Sequence, residues 1–317
     1  MIDVVALGEL LIDFTCGNTD ADGYPTMAAH PGGAPANFLA ALSKFGAKTA
    51  LLGKVGTDTF GKILVNTLEK AGIETKGLLM DDAVFTTLAF VTLDENGDRE
   101  FAFSRKPGAD TCITFEELDL SLVDEAKVFH FGTLSLTDEP ARTATQKAVA
   151  YAKGKGKLIT YDPNLRKPLW RDLSEAKEQL LWGLGQADVV KISDEEVEFL
   201  FGMQPREGAK HILDTYGVKL VFVTCGADGC YFMNAVAEGM VPGLKGIKVA
   251  DTTGAGDIFG GSAVWKLLQL DQTPDTLDES QLRQIVAFAC TSAGLSTTKP
   301  GGISSVPDLE TVKNLLA

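Results

Sequence analysis

Asp257 stands in a glycine-rich stretch whose residue types and spacing could support phosphoryl transfer. Gly254 and Gly256 allow the backbone to turn sharply, so that successive N–H groups point at one spot. An apolar helix follows, and the N–H groups at a helix start bind a phosphate oxygen with help from the helix dipole. A carboxylate in the first turn can then accept the proton of an attacking hydroxyl. The stretch therefore predicts a phosphate-binding loop with Asp257 as a candidate base.

The same glycines have two other interpretations. Asp is common in first helical turns and Gly in loops, so an ordinary helix start fits the stretch equally well when it is taken alone. Gly254, Gly256 and Gly260 also come close to the dinucleotide-binding fingerprint. That fingerprint usually opens a chain and has no acidic residue against the pyrophosphate. Here the stretch comes late and Asp257 directly follows the second glycine, which disfavours a dehydrogenase.

A second glycine-containing segment, residues 56–62, begins like the P-loop of nucleotide triphosphatases. A working P-loop needs Ser or Thr at the next position to bind Mg²⁺. Ile63 occupies that position, so the segment is predicted to be a helix start with a solvated lysine.

Short β-branched runs alternate with helical patterns of apolar residues along most of the chain. The first run, residues 4–13, is predicted to be one strand. Helices are predicted at residues 36–45, 60–71, 141–153 and 173–183, and further strands at residues 49–56, 126–132, 157–162, 187–193, 219–226 and 229–234. This alternation predicts an α/β fold with a mainly parallel sheet covered on both faces, in a single domain over residues 1–317.

Two stretches interrupt this alternation. Residues 14–31 are polar and rich in turn formers, and residues 84–104 hold two alternating runs around an Asn-Gly turn at residues 94–97, which is a strong hairpin signal. One interpretation is an antiparallel extension of the main sheet. The other is a small β-sheet lid over a ligand cleft, formed from about residues 14–31 and 84–110, and this is the prediction we carry forward.

Composition limits the classes of partner. The chain has 317 residues, of which 45% are hydrophobic and 23% charged, and its formal net charge is −14. A nucleic-acid partner would require a basic face, so none is expected. No apolar run reaches the roughly 20 residues that span a bilayer, and the N-terminus does not resemble a secretory signal. We therefore expect no membrane partner and a cytoplasmic location.

The cysteines and histidines do not suggest a metal centre. Five cysteines form no CxxC pair, which is typical of reduced thiols in a cytosolic protein. The three histidines lie far apart without metal-ligand spacing. A zinc site or a histidine-based catalytic triad is therefore not expected.

Two separated motifs together resemble the signature pair of the ribokinase-like (PfkB) carbohydrate kinases. They are GGAPAN at residues 32–37 and DTTGAGD at residues 251–257, and the resemblance covers essentially the whole chain. GELLIDF, YDPNLR and KISDEEVEFL are most similar to segments of the fructokinases. The resemblance implies a three-layer α/β/α sandwich with a β-sheet lid. It also implies transfer of the ATP γ-phosphate to a sugar hydroxyl, with Mg²⁺ as cofactor.

The resemblance assigns roles to individual positions. Asp257 matches the family's base, and its anion hole matches Gly254, Ala255 and Gly256. Positions that match sugar-binding or phosphate-side residues are Asp13, Gly33, Asn37, Arg105 and Arg166. Positions that match nucleotide contacts are Lys191, Glu196, Thr224, Gly226, Gly229 and Cys290. A lone Arg is more often a surface ion-pair partner, but Arg105 and Arg166 each follow a predicted strand, where ligands of α/β sheets bind.

The sequence departs from the family pattern at several positions. Ser193 replaces the Asn of an NxxE motif whose glutamate, here Glu196, is thought to position Mg²⁺ through water. Cys290 replaces an Asn near the adenine, so packing is expected there. Asp251 and Thr253 resemble a monovalent-cation (K⁺) site of some members, although the same groups could simply cap a loop.

Fructose is the expected acceptor, with 2-keto-3-deoxygluconate kinase or ribokinase as alternatives. A sugar acid would require more positive charge in the lid than Arg105 and Lys106 provide. A function of a different class, a non-catalytic sugar sensor on a kinase scaffold, is disfavoured because Asp257 and its glycines are intact. An exposed lid strand could pair with a second copy to give a homodimer.

Overall fold

The strands of the protein were located in a computed structural model that describes residues 1–93, 99–270 and 272–316. Most lie where β-branched and aromatic runs predict them. In chain order they are β1 (Val4–Leu7), β2 (Leu11–Thr19), β3 (Pro25–Gly32), β4 (Thr49–Gly56), β5 (Ile73–Glu74), β6 (Leu78–Asp81), β7 (Leu88–Leu93), β8 (Arg99–Ser104), β9 (Val128–Gly132), β10 (Leu158–Asp162), β11 (Val189–Ser193), β12 (Leu220–Thr224), β13 (Cys230–Asn234) and β14 (Glu238–Val241).

The helices follow the amphipathic segments. They are α1 (Ala34–Lys44), α2 (Thr59–Lys70), α3 (Leu120–Glu125), α4 (Ala141–Gly154), α5 (Leu173–Leu184), α6 (Asp194–Phe201), α7 (Pro205–Tyr216), α8 (Ala255–Leu267), α9 (Glu279–Ser296) and α10 (Leu309–Leu316). Short 3-10 turns lie at Ala109–Cys112, Phe115–Glu117, Leu134–Leu136, Lys167–Leu169, Gly226–Asp228, Pro274–Thr276 and Ile303–Ser305. In the part of the chain that the structure describes, no helix combines the length and apolar character needed to traverse a bilayer.

The large sheet has the strand order β14-β13-β12-β11-β10-β9-β1-β4-β5, and β6 also pairs with β4. Strands from β12 to β5 are parallel, and β13 and β14 are antiparallel. The central strand β1 is buried on both faces. Val5 and Leu7 face one apolar cluster and Val4 and Ala6 face another. Helices therefore cover both faces of the sheet, which confirms the predicted α/β/α sandwich.

A separate small sheet has the order β3-β2-β7-β8. Strand β2 pairs antiparallel with β3 and parallel with β7, and β7 pairs antiparallel with β8. The interpretation of these segments as an extension of the main sheet is therefore wrong. The predicted Asn-Gly turn at residues 94–97 lies outside the described residues.

The prediction of one strand over residues 4–13 is also wrong, because β1 and β2 lie in different sheets. Leu10, Leu11 and Ile12 are as buried as the residues of β1. Hydrophobic periodicity in a sequence indicates which residues are buried. It does not indicate which sheet buries them, so it could not locate the break between β1 and β2. The consequence for function is that the chain passes directly from β1 in the main sheet to β2 in the small one.

Candidate active site

A cavity of about 370 Å³ lies where the carboxyl ends of the parallel strands meet the small sheet. Side chains from β2, the start of α1, the end of β11 and the start of α8 line it. This edge is where open α/β sheets bind their ligands. The predicted residues that line the cavity are Asp13, Gly33, Asn37, Arg166, Lys191, Glu196, Thr224, Gly226, Gly254, Gly256 and Asp257.

The start of α8 forms one wall of this cavity. Gly254 is the N-cap of the helix, with a left-handed backbone (φ 75°) that other residues adopt only with strain. Asp257 follows in the first turn and is only 8% exposed. Burial raises the pKa of the Asp257 carboxyl, while the Asn37 amide and the Lys191 and Arg166 charges act against this. A base and the backbone of a helix start therefore face the same cavity.

Asn37 connects the two sequence motifs. Its Nδ2 donates a hydrogen bond to Oδ2 of Asp257 at 2.9 Å, across 220 positions of sequence. Asn37 lies in the first turn of α1, which begins after Gly33 in a left-handed conformation (φ 118°). The Oδ1 of Asn37 is buried and has no hydrogen-bond partner among the residues that the structure describes. Since buried polar atoms rarely stay unpaired, this oxygen is available to accept a hydrogen bond from a ligand hydroxyl.

Asp13 reaches the same cavity from β2. A Cβ added at Gly32 would lie 2.3 Å from the Asp13 Oδ2, so the glycine leaves space for the carboxylate. Burial raises the pKa of Asp13 to about 6, with Arg166 acting against this and Asp257 adding to it. A carboxylate and an amide oxygen thus stand together, and they suit adjacent hydroxyls of a polyol.

The two arginines occupy different places. Arg166 lines the cavity, whereas Arg105 is not among the lining residues and is 5% exposed. Asp110 accepts a hydrogen bond from Nε of Arg105 at 2.8 Å, and the same Oδ2 lies 2.7 Å from Nη2 in an ion pair. Nη1 donates to Thr137 and Nη2 donates to the Leu134 carbonyl. Most donors of Arg105 are therefore engaged within the protein, and its predicted contact with substrate stays a prediction.

Glu9 is a cavity residue that the sequence analysis did not identify. It is 3% exposed, and its Oε1 accepts the Ala34 N–H at 2.7 Å. Burial raises the pKa of Glu9 to about 7, against opposing contributions from the Ala34 N–H and Arg105. The available signal was a carboxyl within the apolar run of residues 4–12, where burial is costly unless the group has a role.

Glu196 is fixed by backbone donors near the cavity. Its Oε2 accepts the Ser193 N–H at 2.8 Å and its Oε1 accepts the Leu165 N–H at 2.7 Å. Ser193 returns the contact, because its hydroxyl accepts the Glu196 N–H at 3.2 Å in a capping box at the start of α6. The Ser that replaces the family's Asn thus has a capping role. Each carboxylate oxygen keeps a lone pair, so the donor set fits a hydrated Mg²⁺.

A second, more apolar cavity of about 500 Å³ adjoins the first and shares Thr224, Gly226 and Gly256 with it. Gly229 and Cys290, which the sequence analysis assigned to the nucleotide, line it together with Phe259 and Leu244. Ala255, which was assigned to the anion hole, lines this cavity and is not among the residues that line the first. The β12–β13 hairpin forms one side. At Gly229 (φ 112°) an added Cβ would lie 2.1 Å from the Val241 carbonyl oxygen, so only glycine fits. A flat, mainly apolar ring would suit this cavity.

Asp251 accepts hydrogen bonds from Thr253 and from Gly301 in the loop before α8. The Asp251 Oδ1 accepts the Thr253 N–H at 2.9 Å and its hydroxyl at 2.7 Å, and Oδ2 accepts the Gly301 N–H at 3.0 Å. These contacts are those of a loop cap. Within the described residues, no group of three or more His, Cys, Asp or Glu side chains is arranged to hold a metal ion.

Comparisons with known proteins agree with this arrangement. A model described as pfkB family carbohydrate kinase matches residues 1–309. The chain is 42% identical over 316 residues to a protein named fructokinase-2 from Solanum lycopersicum, covering 99% of this chain and 95% of that one.

Two solved structures are similar over nearly their full lengths. Fructokinase with bound ATP from Xylella fastidiosa has a TM-score of 0.91 at 29% identity, covering 100% of this chain and 98% of that one. A double mutant of fructokinase from Vibrio cholerae O395, with fructose, ADP and a potassium ion bound, has a TM-score of 0.88 at 30% identity, covering 100% and 99%. The family match and the full-length identity show that this chain belongs to the pfkB family of carbohydrate kinases.

Proposed function

We propose that this kinase is a fructokinase, which transfers the γ-phosphoryl group of ATP to a hydroxyl of fructose. The observation that carries the proposal is the 2.9 Å contact between Asn37 and Asp257, because it joins the sugar-side motif to the phosphate-side motif in one cavity. The full-length similarity to proteins named fructokinase supports fructose as the acceptor.

In the proposed mechanism, Asp13, Gly33, Asn37 and Arg166 hold the sugar. Asp257 accepts the proton of the attacking hydroxyl as its oxygen approaches the γ-phosphorus in line. The backbone N–H groups at the start of α8, from Gly254, Ala255 and Gly256, stabilise the charge on the transferring phosphoryl. Arg105 supports the wall of the site from behind, through the Leu134 carbonyl.

The nucleotide is proposed to lie across both cavities. The adenine occupies the apolar one, beside Cys290 and Phe259, and the phosphates extend past Thr224 and Gly226 towards Lys191. Glu196 would hold Mg²⁺ through water, and the ion would neutralise charge on the β- and γ-phosphates. A K⁺ ion beside Asp251 and Thr253 remains part of the proposal, supported by the potassium-bound relative.

The small sheet is proposed to act as the lid. Its strand β2 carries Asp13, and Phe103 of β8 and Val91 of β7 line the same cavity. Closure of this sheet over bound sugar would exclude water and limit ATP hydrolysis. An edge strand of the lid could pair with that of a second copy in a homodimer, and the supply of ATP and free sugars points to the cytoplasm.

A neutral sugar fits the charges near Asp13 better than a sugar acid does. The charges that act on the Asp13 carboxyl are those of Asp257 and Asp251 against that of Arg166. A carboxylate on the substrate would meet a surplus of like charge. The test is an assay that couples ADP release to absorbance over fructose, ribose and 2-keto-3-deoxygluconate, with and without K⁺. Fructose is expected to give the highest kcat/KM, and preference for another sugar or sugar-independent ADP release would contradict the proposal.

A further inference from the structure

Asp162, the last residue of β10, lies behind the wall of the active-site cavity and has no role in the mechanism so far. It is 5% exposed and does not itself line the cavity. Buried carboxylates are costly and persist where a partner compensates them. Both oxygens of Asp162 have such partners, and the two partners lead to two different parts of the site.

The first partner is Lys191 on the neighbouring strand. Its Nζ lies 3.0 Å from Oδ2 of Asp162, and the two side chains are only 13% and 7% exposed. Strands β10 and β11 run parallel with Tyr161 opposite Val190, so the next position on each strand brings the pair together. The ammonium therefore has a fixed place on the sheet edge.

That place faces the proposed anion hole. A Cβ built on Gly256 would lie 2.9 Å from the Lys191 Nζ, so the ammonium stands against the backbone of the first turn of α8. Lys191 also lines the cavity, whereas Asp162 does not. Burial opposes the charge on Lys191, but the Asp162, Glu196 and Asp257 carboxylates outweigh it and keep the pKa of Lys191 above its usual value.

The second partner is the turn after β10. Oδ1 of Asp162 accepts the Asn164 N–H at 3.2 Å. Asn164 has a left-handed backbone (φ 44°), which Asn tolerates better than most residues when a local hydrogen bond supports it. Asn164 and Arg166 both line the cavity beyond this turn.

We propose that Asp162 is a positioning residue that serves both halves of the site. One carboxylate oxygen holds the Lys191 ammonium beside the α8 amides for the transferring phosphoryl. The other oxygen fixes the turn that brings Asn164 and Arg166 to the sugar. This inference rests on the proposed function and adds to it a single buried group that couples the phosphate side to the sugar side.

The substitution Asp162→Asn separates the two tasks. The Asn side chain keeps an oxygen to accept the Asn164 N–H and loses the charge that holds Lys191. We expect kcat to fall about 10–100-fold, because a shift of about 1 Å in a positioning group can cost a hundredfold, with sugar KM nearly unchanged. Asp162→Ala removes both oxygens and is expected to raise sugar KM as well.

A double-mutant cycle with Lys191→Met distinguishes positioning from general support of the fold. If Asp162 acts on phosphoryl transfer through Lys191, adding Asp162→Asn to Lys191→Met should lower kcat by less than about threefold. Fully multiplicative losses would overturn the inference, as would wild-type kcat for Asp162→Asn alone. Equal sugar KM for the Asn and Ala variants would overturn the role in the turn.

Asp188→Asn is the matched control. Asp188 pairs with Lys219 at 2.9 Å and also accepts a backbone N–H, from Ile159, but it precedes β11 and so lies at the opposite edge of the sheet. Its variant should keep wild-type kinetics. Thermal unfolding of every variant identifies any that fail to fold.

Calorimetric titration with ADP repeats the double-mutant cycle as a binding measurement, which requires neither sugar nor turnover. It separates failure of this inference from failure of the proposed function: a wild-type protein that binds ADP but phosphorylates none of the sugars contradicts only the function. If no sugar is phosphorylated, the ADP titration decides: coupling between Asp162→Asn and Lys191→Met in ADP affinity supports the inference, and additive effects on ADP affinity overturn it.

Discussion

At the scale of single residues, the site depends on a carboxylate whose environment is set by a few neighbours. Asp257 is buried, and the Asn37 Nδ2 is the one side-chain donor that the structure gives its Oδ2 in the described residues. Burial raises the pKa of Asp257 and the Asn37 hydrogen bond lowers it. A base must be ionised to accept a proton, so the Asn37 contact should extend the activity of the enzyme to lower pH.

Asn37→Ala tests this contact through the pH dependence of kcat. Burial raises the pKa of Asp257 and the Asn37 hydrogen bond lowers it, so loss of this donor should raise the pKa. The acidic limb of the kcat–pH profile should therefore move to higher pH, and sugar KM should rise because the Oδ1 acceptor is lost too. An acidic limb at the wild-type position would contradict the role of Asn37, and Asn234→Ala, a buried amide remote from the cavity, checks for general effects.

The sequence located some site residues and missed others, for physical reasons. Asp257 and Asn37 lie in short motifs whose glycines signal backbone close to a ligand. Asp162 has no glycine beside it and Glu9 has only Gly8, and their roles depend on contacts with Ala34 and Lys191 that only the fold creates. Arg105 was predicted to contact the ligand because it follows a strand. Its ion pair with Asp110 depends on the tertiary structure, so the sequence did not reveal it.

At the scale of elements, the start of α8 has room for the phosphate that we propose it binds, because the two residues before Asp257 are Ala255 and Gly256. Gly254 turns the chain into the helix, and Gly256 allows Lys191 to approach the backbone. The helix itself is apolar on nearly all sides and packs against α1 and α9, so its N-terminus has little freedom to move. A rigid helix start is what positions N–H groups for a transition state.

Gly256→Ala tests the approach of Lys191 to the start of α8. The new methyl would lie 2.9 Å from the Lys191 Nζ, which is the flexible end of a side chain, so the fold should survive while the ammonium shifts. We expect kcat/KM for ATP to fall about tenfold or more, since small misplacements of charged groups cost heavily. Gly154→Ala is the matched control, because no atom lies within 4 Å of the added methyl. Equal kinetics for the two variants would contradict the assigned geometry.

Most strands and the helices α1, α2, α4, α5 and α8 were readable from the sequence, since burial and amphipathicity fix the local period, whereas α3, α6, α7, α9 and α10 were not predicted. The break between β1 and β2 was not predicted either, because both are apolar and only their different partners separate them. The small sheet was signalled by polar alternation and turn residues. Its mixed pairing, with β2 parallel to β7, depends on long-range contacts that no local pattern encodes.

At the scale of the whole molecule, the fold holds ionisable groups in states that make its stability depend on pH. His130 on β9 is buried, stacks on Phe38 with centroids 3.7 Å apart, and has its Nδ1 3.0 Å from the Thr160 hydroxyl. Burial, aided by the Lys191 charge, lowers the pKa of His130 to about 3. The unfolded chain takes up a proton near pH 6.5 and the folded chain does not.

Stability should therefore fall as pH decreases below 6.5, and His130 alone should remove about 2 kcal/mol of unfolding free energy by pH 5. Urea unfolding at pH 7 and pH 5, compared between wild type and His130→Phe, measures this contribution. The variant should be less stable at pH 7 but should lose less between the two values. His211→Phe replaces a half-buried histidine whose ring meets Phe201 edge-on, and it is the control. Parallel losses in wild type and His130→Phe would contradict a neutral buried imidazole.

The most direct test of the central claim is fructose-dependent ADP release by wild type and by Asp257→Ala, measured side by side. The account predicts turnover by the wild type and a loss of about 10²–10⁴-fold in kcat for the variant, with little change in fructose KM, because a base acts in the transition state. Near-wild-type turnover by a folded Asp257→Ala protein would contradict the account.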